Sequence, residues 1–252
     1  MNMDDAFAIK IYQQLMEHWI VPVIKIRQKN NELHTPVNIE MAQIIFCPDK
    51  DEPIVNINDE VKIIAKVKLN NEEQQAGTEV CSNEIENFIA LKLNEEKFPN
   101  CGHATFILHE GRMLLDFDLT KYRSLAKKHL DVAKEFLFSS AHALNQQHLT
   151  SFIDTLFSAS ELIAKSILLK SADAEFAKKT NHRAIHCKYN QHAKRGNVDS
   201  DFAKTHNMLS KLRDSARYLN KNSSTNTDEA EEYLKTIETA YEHAVNLVTS
   251  RF

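Results

Sequence analysis

The sequence predicts an α+β protein: a small β-sandwich or open barrel led by one helix, followed by an all-α antiparallel helical bundle. Three observations carry this expectation. The hydrophobic period switches from about 2 to about 3.6 near Thr120. Only four glycines occur in 252 residues, which favours helix over Gly-rich turns. The length suffices for two cores, which places domains at residues 1–120 and 121–252.

The elements follow in order. Residues 4–19 read as a short amphipathic helix with Ala8, Ile11, Leu15 and Trp19 on one face, ended by Pro22. Residues 19–119 read as strand-rich. In residues 61–69, alternation places Val61, Ile63, Ala65, Val67 and Leu69 inward and three lysines outward. Residues 70–76 are polar and read as a loop. Residues 85–93 fit either strand or helix. Residues 105–108 and 113–119 form a predicted hairpin around Glu110-Gly111, with Leu115, Phe117 and Leu119 on its inner face.

From Lys121 the spacing is helical. Ala126, Leu130, Ala133, Leu137, Ser140 and Leu144 make one stripe. Residues 152–169 are apolar over a broad face, as expected of a central helix. Phe202, Leu209, Leu212, Ala216 and Leu219 mark another helix. After an Asn/Ser/Thr linker at 220–227, Asp228 reads as an N-cap with Glu231 three residues on. Ala230, Leu234, Ile237, Tyr241, Ala244 and Val248 then form the last stripe. These stripes are core positions of a four- or five-helix bundle.

Charge is segregated. Residues 178–222 hold seven Lys and four Arg against three acids, a formal charge of +8 in a chain of −4, so the remainder carries −12. A local excess of this kind attracts anions, phosphate backbones above all. His182, His186, His192 and His206 lie in the same stretch. Several chemistries are excluded. No G-x-G-x-x-G, G-x-x-x-x-G-K or G-x-S-x-G occurs. His182 and His186 are one turn apart, but Arg183 stands where a zinc protease needs Glu. Cys101-Gly102-His103 is half of a metal site without a second half. The four scattered cysteines read as reduced cytosolic thiols. With an acidic N-terminus and no long apolar run, the expected setting is cytoplasmic, with no membrane, metal or cofactor.

The candidate phosphate-binding residues are His182, Arg183, His186, Lys188, Lys194, Arg213 and Arg217. Arg213 and Arg217 stand one turn apart and can converge on one anion. Tyr189 and Tyr218 are candidates for stacking on bases.

At these residues the helical half resembles the HEPN domain family (higher eukaryotes and prokaryotes nucleotide-binding). LFSASELIAKSILLK at 156–170 is similar to its Ala-rich second helix. NHRAIHCKYNQHAKRGN at 181–197 stands where a basic His-containing segment often follows. LSKLRDSARYL at 209–219 is similar to its Leu-Arg-Asn-x-Ala-Asp-Tyr pattern. The resemblance covers residues 121–252. It implies a helical bundle, a homodimer, and RNA or nucleotide binding, RNA cleavage or a toxin–antitoxin or defence role. Nuclease members carry Arg, four to six residues, then His. Arg213 matches the Arg, but positions 218–220 hold Tyr, Leu and Asn. Arg123 and His129 match the spacing only formally, in the first helix of the bundle. Losing the base costs about 10²–10⁴-fold in rate. The expectation is therefore a non-catalytic binding module; a ribonuclease with a displaced base (His182 or His186) and a protein-interaction module are the alternatives.

Overall fold

The computed structural model describes residues 5–70, 77–109, 111–170, 181–217 and 226–249, with residues 5–6 and 215–217 described by backbone alone. Two compact units divide the chain after Lys121.

The first unit opens with α1 (Asp5–Leu15), which passes through a π-helical turn (Met16–Ile20) into α2 (Val21–Lys29). Pro22 does not end the helix as expected. It sits in the first turn of α2, where its missing N–H and fixed φ are tolerated. The π turn also rotates the apolar face: Ile20 is fully buried, while Trp19 is 38% exposed. Six strands follow: β1 (Met41–Phe46), β2 (Ile54–Ile57), β3 (Ile63–Leu69), β4 (Ile85–Leu93), β5 (Gly102–His109) and β6 (Arg112–Asp118). They form two antiparallel sheets, one of order β2-β1-β5-β6 and one pairing β3 with β4. Ala42, Ile44, Val55, Ile57 and Phe106 join Ile20, Tyr12, Leu15 and Met16 in one core.

The opposite face of the larger sheet is mixed: Ile45, Cys47 and Leu93 form a small apolar cluster there, and beside it runs a polar row. Register aligns Asn56, Gln43, Thr105 and Asp116 across four strands, and Gln43 and Thr105 are fully buried. Asn56 donates to the Gln43 side-chain oxygen at 3.3 Å, and Gln43 donates to the Lys62 carbonyl at 3.3 Å. The hairpin forms with β6 beginning at Arg112, and Leu115 packs on the core. Leu119 lies beyond the strand and is 58% exposed, contrary to its expected inner position. In β3, Ala65 is exposed, contrary to its expected inward position, while Ile63, Val67 and Leu69 are half-buried. Residues 71–76 of the expected loop lie outside the described residues.

The cysteine expectation is overturned. Cys47 and Cys101 form a disulfide across 54 residues, while Cys81 and Cys187 are free and exposed. The cause is the sheet. Phe46 pairs with Gly102, so the next residue of β1 and the preceding residue of β5 stand face to face. The same bond removes Cys101 from any metal site. Gly102 is required here, since a Cβ would lie 2.7 Å from the Asp118 carbonyl oxygen.

The second unit is a bundle of five described helices: α3 (Arg123–Asn145), α4 (Leu149–Leu169), α5 (His182–Lys194), α6 (Ser200–Arg217) and α7 (Thr227–Thr249). All six positions of the α3 stripe are buried. Helix α4 buries twelve of its 21 residues, so it is the central helix. Phe202, Leu209 and Leu212 face the same core, as do Ala230, Ile237, Ala244 and Val248. Helix α7 starts two residues earlier than Asp228 predicts. Asn226 Oδ1 accepts from the Glu229 amide at 2.8 Å, and Glu229 reaches back to the Asn226 amide at 3.3 Å. No described helix is long and apolar enough to cross a membrane.

Candidate nucleic-acid interface

Helix α5 starts at Asn181, whose side-chain oxygen accepts from the Arg183 amide at 2.9 Å. The helix buries Ile185 and Tyr189, one turn apart. The 3.6-residue period therefore turns Arg183, Cys187, Gln191 and Lys194 outward, and all four are exposed. Arg195 follows, also exposed. None of Arg183, Lys194 and Arg195 has an acidic partner among the described residues. Burial, then the charges of Lys188 and Arg195, hold His192 below the usual imidazole range.

Helix α6 starts at Asp199, whose Oδ1 accepts from the amides of Asp201 (2.6 Å) and Phe202 (3.0 Å). Its buried face carries Phe202, His206, Leu209 and Leu212. Here α4, α5 and α6 bring together a column of rings and charges. The Arg213 guanidinium lies 4.7 Å from the Phe157 ring centroid and donates from Nε to Asp154 Oδ1 at 2.7 Å. His206 stacks on Phe157 at 5.3 Å and on Phe202 at 6.1 Å. Ser160 donates its one hydroxyl hydrogen to the Phe157 carbonyl, so its oxygen accepts from His206 Nδ1 at 2.7 Å. Burial, followed by the charge of His186, pushes His206 down to about 3, so it is neutral at neutral pH. The His186 ring tilts against His206 at 5.4 Å. Its Nε2 is buried with no hydrogen-bond partner among the described residues.

The seven predicted positions thus divide. Arg183 and Lys194 stand free on the outer face of α5. His182 is exposed and paired with Glu161. Lys188 is half-buried. His186 and Arg213 approach one another through His206 and Phe157. Arg213 is not a free cation, because Asp154 holds it. The Arg217 side chain and Tyr218 lie outside the described residues. Tyr189 is 1% exposed and is not available to stack on a base. Sequence reasoning missed Asp154, Phe157, Ser160 and Glu161, polar or aromatic positions inside an apolar helix. The one available signal was His206, which interrupts the Phe202–Leu209 stripe. Among the described residues, no three His, Cys, Asp or Glu side chains converge as metal ligands.

Compared with protein-family models, curated proteins and solved structures, the chain gives no significant match.

Proposed function

We propose that the helical unit is a HEPN-like module that binds single-stranded RNA along the outer face of α5 and does not cleave it. The observation that supports this is the run of exposed cations, Arg183, Lys194 and Arg195, with no acidic partner among the described residues. Arg183 and Lys194 are eleven residues apart, about 16 Å along a helix and close to whole turns, so they share a face. At roughly 3.4 Å per stacked nucleotide, that span matches about five phosphates. One nucleotide is too short to engage both ends, which favours a strand over a mononucleotide. His182 is not counted in this face, because it pairs with Glu161 of α4.

The test is fluorescence anisotropy of a labelled RNA across a salt series, with EDTA present and RNA integrity read on a gel. Binding should weaken steeply with salt. Replacing Arg183, Lys194 and Arg195 together by Ala should flatten the logarithmic salt slope by about 2, since each lost phosphate contact removes about 0.7. Absence of binding at low salt would sink the proposal and leave an acidic protein partner for the basic face.

A second reading rests on His186. Its unpartnered Nε2 lies in the same ring column as Arg213, which suits a metal-independent ribonuclease with a displaced base. EDTA-resistant cleavage abolished by His186→Ala would establish that reading in place of the first.

A further inference from the structure

A cavity of about 470 Å³ opens among α4, α5, α6 and α7, apart from the outer face of α5. Its volume falls within the range of small-molecule sites. Ile167 and Phe202 supply apolar wall. Tyr189 also lines it: the ring is buried, packed edge-on against Phe202 at 5.1 Å. The Tyr189 hydroxyl has no hydrogen-bond partner among the described residues. A buried phenol normally finds one, so the cavity presents an unused polar group beside apolar surface.

The ionised groups at the rim define the charge of the occupant. Asp199, Asp201 and Glu232 line the cavity, as does Lys235. Asp201 is already bound to Lys204 at 2.8 Å. Asp199 caps α6 and lines the cavity wall. Burial, with the Asp199 carboxylate adding to it, pushes the Tyr189 phenol up, so it stays a neutral hydroxyl. On a formal count with His243 neutral, Asp199 and Glu232 against Lys235 leave a net charge of about −1, which disfavours an anion and matches a single positive charge. The remaining polar lining is Thr236, Thr239 and the His243 imidazole; the two hydroxyls point elsewhere, Thr236 to the Glu232 carbonyl and Thr239 to the Lys235 carbonyl.

We infer that this cavity is a binding site for a small monocationic amine with an apolar body, whose ammonium sits between the Tyr189 hydroxyl and the carboxylates of Asp199 and Glu232. The apolar part covers Ile167 and Phe202. The phenol oxygen accepts one ammonium hydrogen, and the carboxylates neutralise the charge.

The probe is benzylamine, titrated calorimetrically into the full chain, with benzyl alcohol and benzoate as neutral and anionic partners of the same shape. Benzylamine should bind saturably, and the other two at least about tenfold more weakly, the factor carried by one hydrogen bond to a charged group. Tyr189→Phe keeps the buried ring and should weaken benzylamine about tenfold. Glu232→Gln, at an exposed position that leaves the core untouched, should also weaken it, and Lys235→Gln should tighten it. Equal binding of benzyl alcohol, unchanged affinity in Glu232→Gln, or no saturable binding of benzylamine would each overturn the assignment. RNA binding through α5 involves none of these side chains, so its success or failure is read separately.

Discussion

His206 shows how one residue sets a pH dependence. It is held neutral by burial between Phe157 and Phe202, with its Nδ1 proton given to Ser160. His129 on α3 is held down to about 4, first by burial and then by the Lys165 charge. Both values lie below the ordinary 6.5. The unfolded chain therefore takes up protons that the folded unit refuses. The stabilisation is fully present above pH 6.5 and is lost as pH falls, toward 4 for His129 and toward 3 for His206. Each should cost about 1.4 kcal/mol per pH unit inside its window. Urea unfolding of the helical unit followed by circular dichroism should show this between pH 6.5 and 5. His206→Asn should remove close to half of the slope in that range. A flat stability profile over the range would show that these imidazoles are solvated. Neither environment was legible in the sequence. His206 reads as one of four histidines in a basic stretch, and only the stacking of α6 on α4 makes it a core residue.

At the scale of elements, the helices were the legible part. A helix that buries one face writes that face into the sequence as a 4-3 stripe. The α3 stripe is buried throughout, and in α7 Ala230, Ile237, Ala244 and Val248 are buried while Leu234 and Tyr241 pack half-buried against the core. Strand β4 resisted assignment because its nine residues carry both periods. The cation face of α5 was legible as charge, but its pairings were not. Asp154 and Glu161 lie in an apolar helix, 59 residues from Arg213 and 21 from His182. Helix termini were less legible than interiors. Asp228 looked like the cap of α7, yet Asn226 and Glu229 make the reciprocal box. Asn226→Ala should therefore lower the stability of the helical unit by about 1 kcal/mol, and Asp228→Ala by less. Chemical denaturation of the two variants side by side checks this. A larger loss from Asp228→Ala would place the cap where the sequence alone put it.

For the whole molecule, the change of period near Thr120 foretold the passage from strands to helices, whereas the covalent link in the first unit left no sign in the spacing. Sequence spacing carries no information about Cys47 and Cys101, because only the antiparallel pairing of β1 with β5 sets them opposite. The bond closes a loop of 54 residues, which in the chain-entropy account stabilises the first unit by about 4 kcal/mol. The second unit holds one cysteine, Cys187, and it is free. Reductant should thus act on one unit alone. In the native, unreduced protein, two thiols should react with Ellman's reagent, Cys81 and Cys187, because both are exposed. After reduction, denaturation should show the strand signal, with the small helical share from α1 and α2, lost at lower urea, and the larger helical signal of the second unit unmoved. Residues 122–252 expressed alone should keep their helical spectrum and ignore reductant, since their core is built from α3 to α7. Four reactive thiols before reduction would show that the pair stands as two thiols in the protein as isolated. A shift with reductant of the main helical transition, beyond the share of α1 and α2, would show that the core of the second unit depends on the first.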